Sequence, residues 1–246
     1  MAEVIEDVVR GMRARLDLLR EPHHRYFLGT YLRTTDAVGK AVHDAFFEDP
    51  DWVERWDVAF ARLYLDALDA RQAAAVSVVP RPWRLAFNAP AQLPPLRHVL
   101  LGINAHVNYD LPQALLAVIS DAEFEQPRLV ARRRRDHERI DQILASRVSA
   151  EDVQLKSVSA GRSLLDRILT PLNRAGSKRF LRESRQKVWH NTIELQRARL
   201  SSPEAYRARL AELELLSAAQ IADLLAPGQV ILRLAVGGFG VILPPP

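Results

Sequence analysis

Apolar residues recur three and four positions apart along most of the chain, and strand-like alternation is nearly absent. The pattern predicts helices over about 2–20, 23–47, 51–79, 96–121, 127–146, 150–169, 177–200, 203–216 and 217–225. Pro22 and Pro50 stand where two of these begin, as suits a residue with a fixed φ and no N–H. Pro80, Pro82, Pro90, Pro94 and Pro95 crowd one short stretch, which is expected to be an irregular connector. The last segment, GQVILRLAVGGFGVILPPP, is β-branched and glycine-punctuated. It is expected to be an extended apolar tail, with a short hairpin through Gly237 and Gly238. The expected architecture is all-α: one domain over 1–246, a bundle of about eight or nine helices closed by that tail.

The densest chemistry lies in Asn104-Ala105-His106-Val107-Asn108-Tyr109-Asp110-Leu111-Pro112. His106 and Asp110 are four apart and so share one helix face. At that spacing an imidazole and a carboxylate can both reach one divalent metal ion, zinc or a similar one. Equally, the carboxylate can orient the ring for acid–base work, or the pair can be a structural hydrogen bond in a core helix. Pro112 lacks an N–H and its ring crowds the Asn108 carbonyl, so the helix should bend beside the pair. Asn104 and Asn108 add further polar groups to a segment apolar nearly all round.

Other helices offer partners. Asp57 falls inside the stripe Trp52, Val53, Trp56, Phe60, Leu63, Tyr64, where a carboxylate must be paired, metal-bound or protonated. Tyr31 lies on the stripe of the second helix, with His24, Thr34 and Thr35 on the same face. Trp189 and Asn191 face inward from a late helix, whereas His190 falls on its polar side. His43, His98 and His137 have charged or solvent-compatible settings. The catalytic candidates are therefore His106, Asp110 and Asp57. Asn104, Asn108, Tyr31, Tyr64, Trp189 and Asn191 are the expected substrate contacts, and His106 with Asp110 the metal ligands.

Composition narrows the classes. Of 246 residues 48% are hydrophobic and 26% charged, which is globular usage and excludes wholesale disorder. With no cysteine, a disulfide scaffold, a thiol nucleophile and a thiolate metal site are excluded. The net charge of +4 is uneven, and residues 128–187 hold 16 basic against 7 acidic side chains. Arg132 to Arg135 run consecutively there, with Asp136, Glu138 and Asp141 as nearby counter-charges, so a solvated helix face is expected. The other reading is a patch for an anionic surface, with peripheral membrane contact. Residues 128–179 contain no aromatic residue to stack on bases, which argues against nucleic acid as a partner. No glycine-rich phosphate loop or nucleophile elbow occurs, so no nucleotide cofactor is expected. The N-terminal stretch carries acids and arginines through its apolar positions, as an amphipathic helix does and a secretory signal does not, and a cytoplasmic setting is expected.

Several blocks resemble a mainly actinobacterial family of helical proteins classed as a domain of unknown function. They are the aromatic helix with Phe27, Tyr31 and Thr34, the segment Asp57-Val58-Ala59-Phe60-Ala61 with Leu63 to Leu68, the Asn104–Pro112 motif, Trp189-x-Asn191 and the Gly-x-x-Leu-Pro ending. The resemblance implies a single helical domain and brings no reaction with it. His106, Asp110, Pro112 and Gln113 are also similar to the His-x-x-x-Asp helix of the zinc phospholipase C and P1-type nuclease group, which implies zinc. That group's additional histidines and N-terminal ligand have no counterpart here. The expected function is a small-molecule enzyme with a buried His/Asp pocket, either a metal-assisted hydrolase or an acid–base lyase or cyclase. The alternatives are a non-catalytic helical scaffold and a peripheral anionic-surface binder.

Overall fold

The structure, a computed structural model, describes residues 4–155, 174–228, 238 and 240–245. The elements in order are α1 (Ile5–Leu18), α2 (Pro22–His43), α3 (Pro50–Gln72), a 3-10 turn (Val76–Val78), α4 (Arg81–Phe87) and α5 (Pro95–Ala105). A π-helical turn (His106–Asp110) leads into α6 (Leu111–Val118), then α7 (Asp121–Phe124), α8 (Pro127–Leu155), α9 (Arg174–Ser201) and α10 (Pro203–Leu225). The fold is an all-α bundle, with no strand among the described residues.

Prolines open most of these helices. Pro22, Pro50, Pro95 and Pro203 each stand in the first turn, where a missing N–H costs nothing. The same logic corrects the expected irregular connector. Pro80 is the N-cap and Pro82 lies in the first turn of α4, so prolines start a helix there instead of forbidding one. The expected ends of α2 and α3, at 47 and 79, are too late. Ala45 (φ 52°) and Ala74 (φ 56°) reverse the chain in the left-handed region that glycine normally occupies. Phe46 N–H then bonds Ala41 O and Ala75 N–H bonds Ala70 O, closing both ends. The expected breaks near 147–149 and 216–217 are absent, since α8 and α10 run through. The hairpin expected at Gly237 and Gly238 lies largely outside the described residues.

Three apolar clusters fill the bundle, and two of them meet at the central motif. One gathers Met12, Leu28, Tyr64, Trp83, Leu101 and Ile221 from α1–α5 and α10. The other gathers Trp52, Val53, Trp56, Leu115 and Trp189 from α3, α6 and α9. Phe60 and Val107 pack against both, so the end of α5 sits at the seam between them. Gly102 is required at that seam. A Cβ there would come within 2.4 Å of the Phe27 ring, so α2 and α5 approach only because the side chain is absent.

The arginine run is only in part the solvated face expected from its charge: Arg134 and Arg135 are exposed, and Arg133 is buried. Arg133 is 5% exposed, pairs with Asp49 and with Glu123 (2.9 Å), and its guanidinium lies over the Trp52 ring. Arg132 also reaches Asp49, and Arg135 grips Glu48 through two 2.9 Å hydrogen bonds. Asp136, fully buried, accepts the backbone N–H groups of Glu48 and Asp49. The run therefore stitches α8 to the α2–α3 corner with acids of its own chain. His137, expected in a solvent-compatible setting, is buried between Trp56 and Trp189. No helix of the described residues is long and apolar enough to cross a membrane.

Candidate active site at the π turn

The helix through the central motif takes one extra residue. Leu111 N–H bonds His106 O, five residues back instead of four. Pro112 supplies no N–H at this point, and the Gln113 side chain donates to the Tyr109 carbonyl at 2.8 Å. The bend predicted from Pro112 is thus a π turn holding both residues of the pair. His106 is 3% exposed and Asp110 1%. His106 Nδ1 lies 2.8 Å from Asp110 Oδ2, and Trp83 Nε1–H donates to the same oxygen at 2.8 Å. Burial pushes the Asp110 carboxyl up, while hydrogen bonds from His106 and Trp83 pull it back. Burial holds His106 below its ordinary value, against the opposing pull of Asp110. With Asp110 ionised, Nδ1 carries the proton and Nε2 presents a lone pair; this tautomer is assigned from the hydrogen-bond network.

Aromatic rings set the imidazole's orientation. Phe60 stacks on it with centroids 3.6 Å apart and planes 5° from parallel, and Tyr31 stands edge-on at 4.6 Å. Phe27, Tyr64 and Trp83 each lie at 5.9 Å. Against this apolar jacket, four buried polar atoms make no well-formed hydrogen bond: His106 Nε2, Tyr31 Oη, Thr35 Oγ1 and Asp57 Oδ2, of which the two hydroxyls lie near enough to interact weakly with each other. Native interiors leave few such groups, and each carries a desolvation cost of roughly 1–3 kcal/mol. The four residues are neighbours. Tyr31 contacts the His106 ring, the charges of Asp57 and Asp110 both act on the Tyr31 hydroxyl, and Asp57 lies one turn before Phe60. Burial alone pushes the Asp57 carboxyl up to about 7. Burial, with Asp57 next, drives the Tyr31 hydroxyl well above its ordinary value. At neutral pH the group thus holds one basic lone pair, a carboxyl near its midpoint and two neutral hydroxyls.

The residues named from the sequence divide into two sets. His106, Asp110, Asp57, Tyr31 and Tyr64 come together. Asn104 and Asn108 are buried but turn elsewhere. Asn104 donates to Leu100 O at 2.8 Å, Asn108 donates to Asn104 Oδ1 at 3.2 Å, and Asn108 lies against Gly240 of the tail. Trp189 donates to His137 Nδ1 at 3.2 Å, away from the dyad. Asn191 ties down the tail, donating to Val241 O at 3.0 Å and accepting from Leu243 N–H at 2.8 Å. His190, on the polar face as expected, bonds Leu243 O. Sequence reasoning misses Trp83, which its proline-flanked helix start could have exposed. It also places Phe60 and Thr35 only on apolar stripes.

His106 Nδ1 and Asp110 Oδ2 are engaged with one another, so these two atoms do not jointly hold a metal ion, and His106 Nε2 is left open. In that arrangement Asp110 would orient a ligand without being one. Among the described residues, three ligand atoms at metal-binding spacing occur at Glu21, His23 and His24. Two concave surfaces also lie away from the dyad, one between α1 and α2 around Val9 and Gly39, the other around Glu125 and Arg132.

No curated protein and no solved structure matches the chain. A family model matches residues 5–227, from the first turn of α1 to the end of α10, and so takes in the π turn and every residue of the dyad's surroundings. The chain belongs to the family described as "Family of unknown function (DUF5995)".

Proposed function

We propose that this protein is a small-molecule enzyme in which His106 acts as a general base, oriented by Asp110 and Trp83. Asp57 and Tyr31 supply protons or hydrogen bonds to the reacting oxygen. The observation that carries the reading is the group of four polar atoms without a well-formed hydrogen bond, at an imidazole whose other nitrogen is fixed. A base, an acid near its midpoint and two hydroxyls complement a small oxygenated substrate, a carbonyl or hydroxy compound. The matching reaction class is proton transfer of a lyase or cyclase: His106 Nε2 takes a C–H or O–H proton and Asp57 protonates the departing or developing oxygen. The imidazolium formed is stabilised by Asp110, 2.8 Å away. Phe60, half-buried and lying flat on His106, covers a face of the ring, so a substrate would approach Nε2 along the ring's edge.

One observation favours a second reading, a helical scaffold with a structural dyad: five aromatic rings pack within 5.9 Å of the imidazole. Incubation in D2O with a panel of small carbonyl and hydroxy compounds separates the two. NMR then follows C–H exchange or elimination. The enzyme reading expects at least one compound to exchange, with the rate lost in His106→Gln and reduced in Asp110→Asn while both variants stay folded. If no compound exchanges, and His106→Gln changes only stability, by roughly 1–3 kcal/mol for a buried partner left unsatisfied, the scaffold reading stands.

A further inference from the structure

A second histidine cluster lies at the start of α2. Glu21 is its N-cap residue and His23 and His24 lie in its first turn. Glu21 Oε2 is 3.3 Å from His23 Nε2 and 3.2 Å from His24 Nδ1, and the three ligand atoms lie within 4.8 Å of one another. Adjacent residues on a helix normally diverge by about 100°, yet these two rings stand 4.1 Å apart at their centroids. The convergence has a cause. His24 Nε2 is bound to the Phe87 carbonyl at the end of α4, at 3.0 Å. A carbonyl accepts only a donated N–H, so in the neutral tautomer Nδ1 carries a lone pair, which a cation held between it and the Glu21 carboxylate would accept. This is the outer-shell contact that fixes the tautomer of a metal-bound histidine.

A third imidazole comes from another helix. His98, on α5, is 5% exposed, and its ring centroid lies 5.3 Å from that of His23. Its Nε2 is buried without a hydrogen-bond partner. We infer that Glu21, His23 and His24 form a zinc site at the start of α2, with the buried His98 of α5 packed beside His23. Two nitrogens and one oxygen suit a borderline cation with tetrahedral preference, and three protein ligands leave the fourth position to water. Burial corrects the solvent-compatible setting expected for His98, and the sequence offers no sign that His24 would meet it. This site shares no residue with the His106 dyad, and its fate is independent of the proposed reaction.

The test uses the full chain stripped with a chelator and titrated calorimetrically with Zn2+, then with Co2+ as a spectroscopic stand-in. One Zn2+ per chain should bind, Co2+ should give the intense visible absorption of a tetrahedral site, and Zn2+ should raise Tm by about 5 °C. Glu21→Gln, at the surface, and His23→Ala, whose side chain is 12% exposed, should each weaken binding at least tenfold. His106→Gln should bind Zn2+ as the parent does. Absence of saturable binding below about 0.1 mM, the weak absorption of an octahedral cobalt ion, or affinity unchanged in His23→Ala and Glu21→Gln would each overturn the assignment.

Discussion

Asp57→Asn isolates the cost of holding a carboxyl in this interior. The side chain is 5% exposed, its Oδ2 has no partner, and burial alone raises its pKa from 3.8 to about 7. Every tenfold change in acidity corresponds to about 1.4 kcal/mol between protonation states, so the full difference is about 4 kcal/mol. The sign follows from linkage. A group raised on folding favours the folded state fully below its unfolded value, and that contribution is lost as pH climbs through its folded value. Wild-type stability should therefore fall relative to Asp57→Asn between about pH 4 and pH 7, and the difference should level off above. Asparagine keeps the shape and has no charge to acquire, so its own unmet hydrogen bonds add only a pH-independent offset. Urea unfolding of both proteins from about pH 4 to pH 8.5 measures the difference directly, and other titrating groups largely cancel. A difference that stays flat across this range would show that Asp57 ionises freely, and the proton donor of the proposed mechanism would be lost with it.

Three further outcomes can be measured by the same unfolding experiment. Gly102→Ala should destabilise by about 1–3 kcal/mol, because the new methyl enters the Phe27 ring. Ala74→Gly should stabilise by about 0.5–1 kcal/mol, since the exposed alanine holds a φ of 56° that glycine adopts without strain. Arg133→Gln should cost about 1–3 kcal/mol, because Glu123 loses its arginine while Asp49 keeps Arg132, whereas Arg135→Gln, at an exposed pair, should change stability little.

How much the sequence makes legible follows from how local each signal is. Helix starts are readable because proline acts through its own ring, and Pro22, Pro50 and Pro203 mark them directly. Helix ends at Ala45 and Ala74 are not, since an alanine gives no local sign that it will take a left-handed conformation. The dyad is legible because four-residue spacing and Pro112 belong to one segment. Asp57 is legible because a carboxylate inside an apolar stripe needs an explanation. Trp83 is not legible as a site residue, because its role depends on a contact with Asp110 across 27 residues of chain. Charge is the least informative signal. Arg132 to Arg135 look alike in sequence, yet only Arg133 is buried, because Asp49 and Glu123 converge on it. Asn191 faces inward as its wheel position suggests, but toward a tail that periodicity could not dock.

The π turn can also be regarded as a phase shift in a screw. α5 and α6 are two halves of one helix, and each residue of an α-helix advances it by about 100°. The additional residue in His106–Asp110 offsets the angular phase of one half against the other. Upstream, that phase sets where Gly102 meets Phe27 and where His98 meets His23. Downstream, it sets where Leu115 enters the tryptophan-rich cluster. Removing one residue from the turn would restore a regular helix and leave both halves foldable, yet no rotation could then satisfy both clusters at once. The position of His106 is thus fixed by the bundle as a whole, as the angle at which two separately packed halves can coexist.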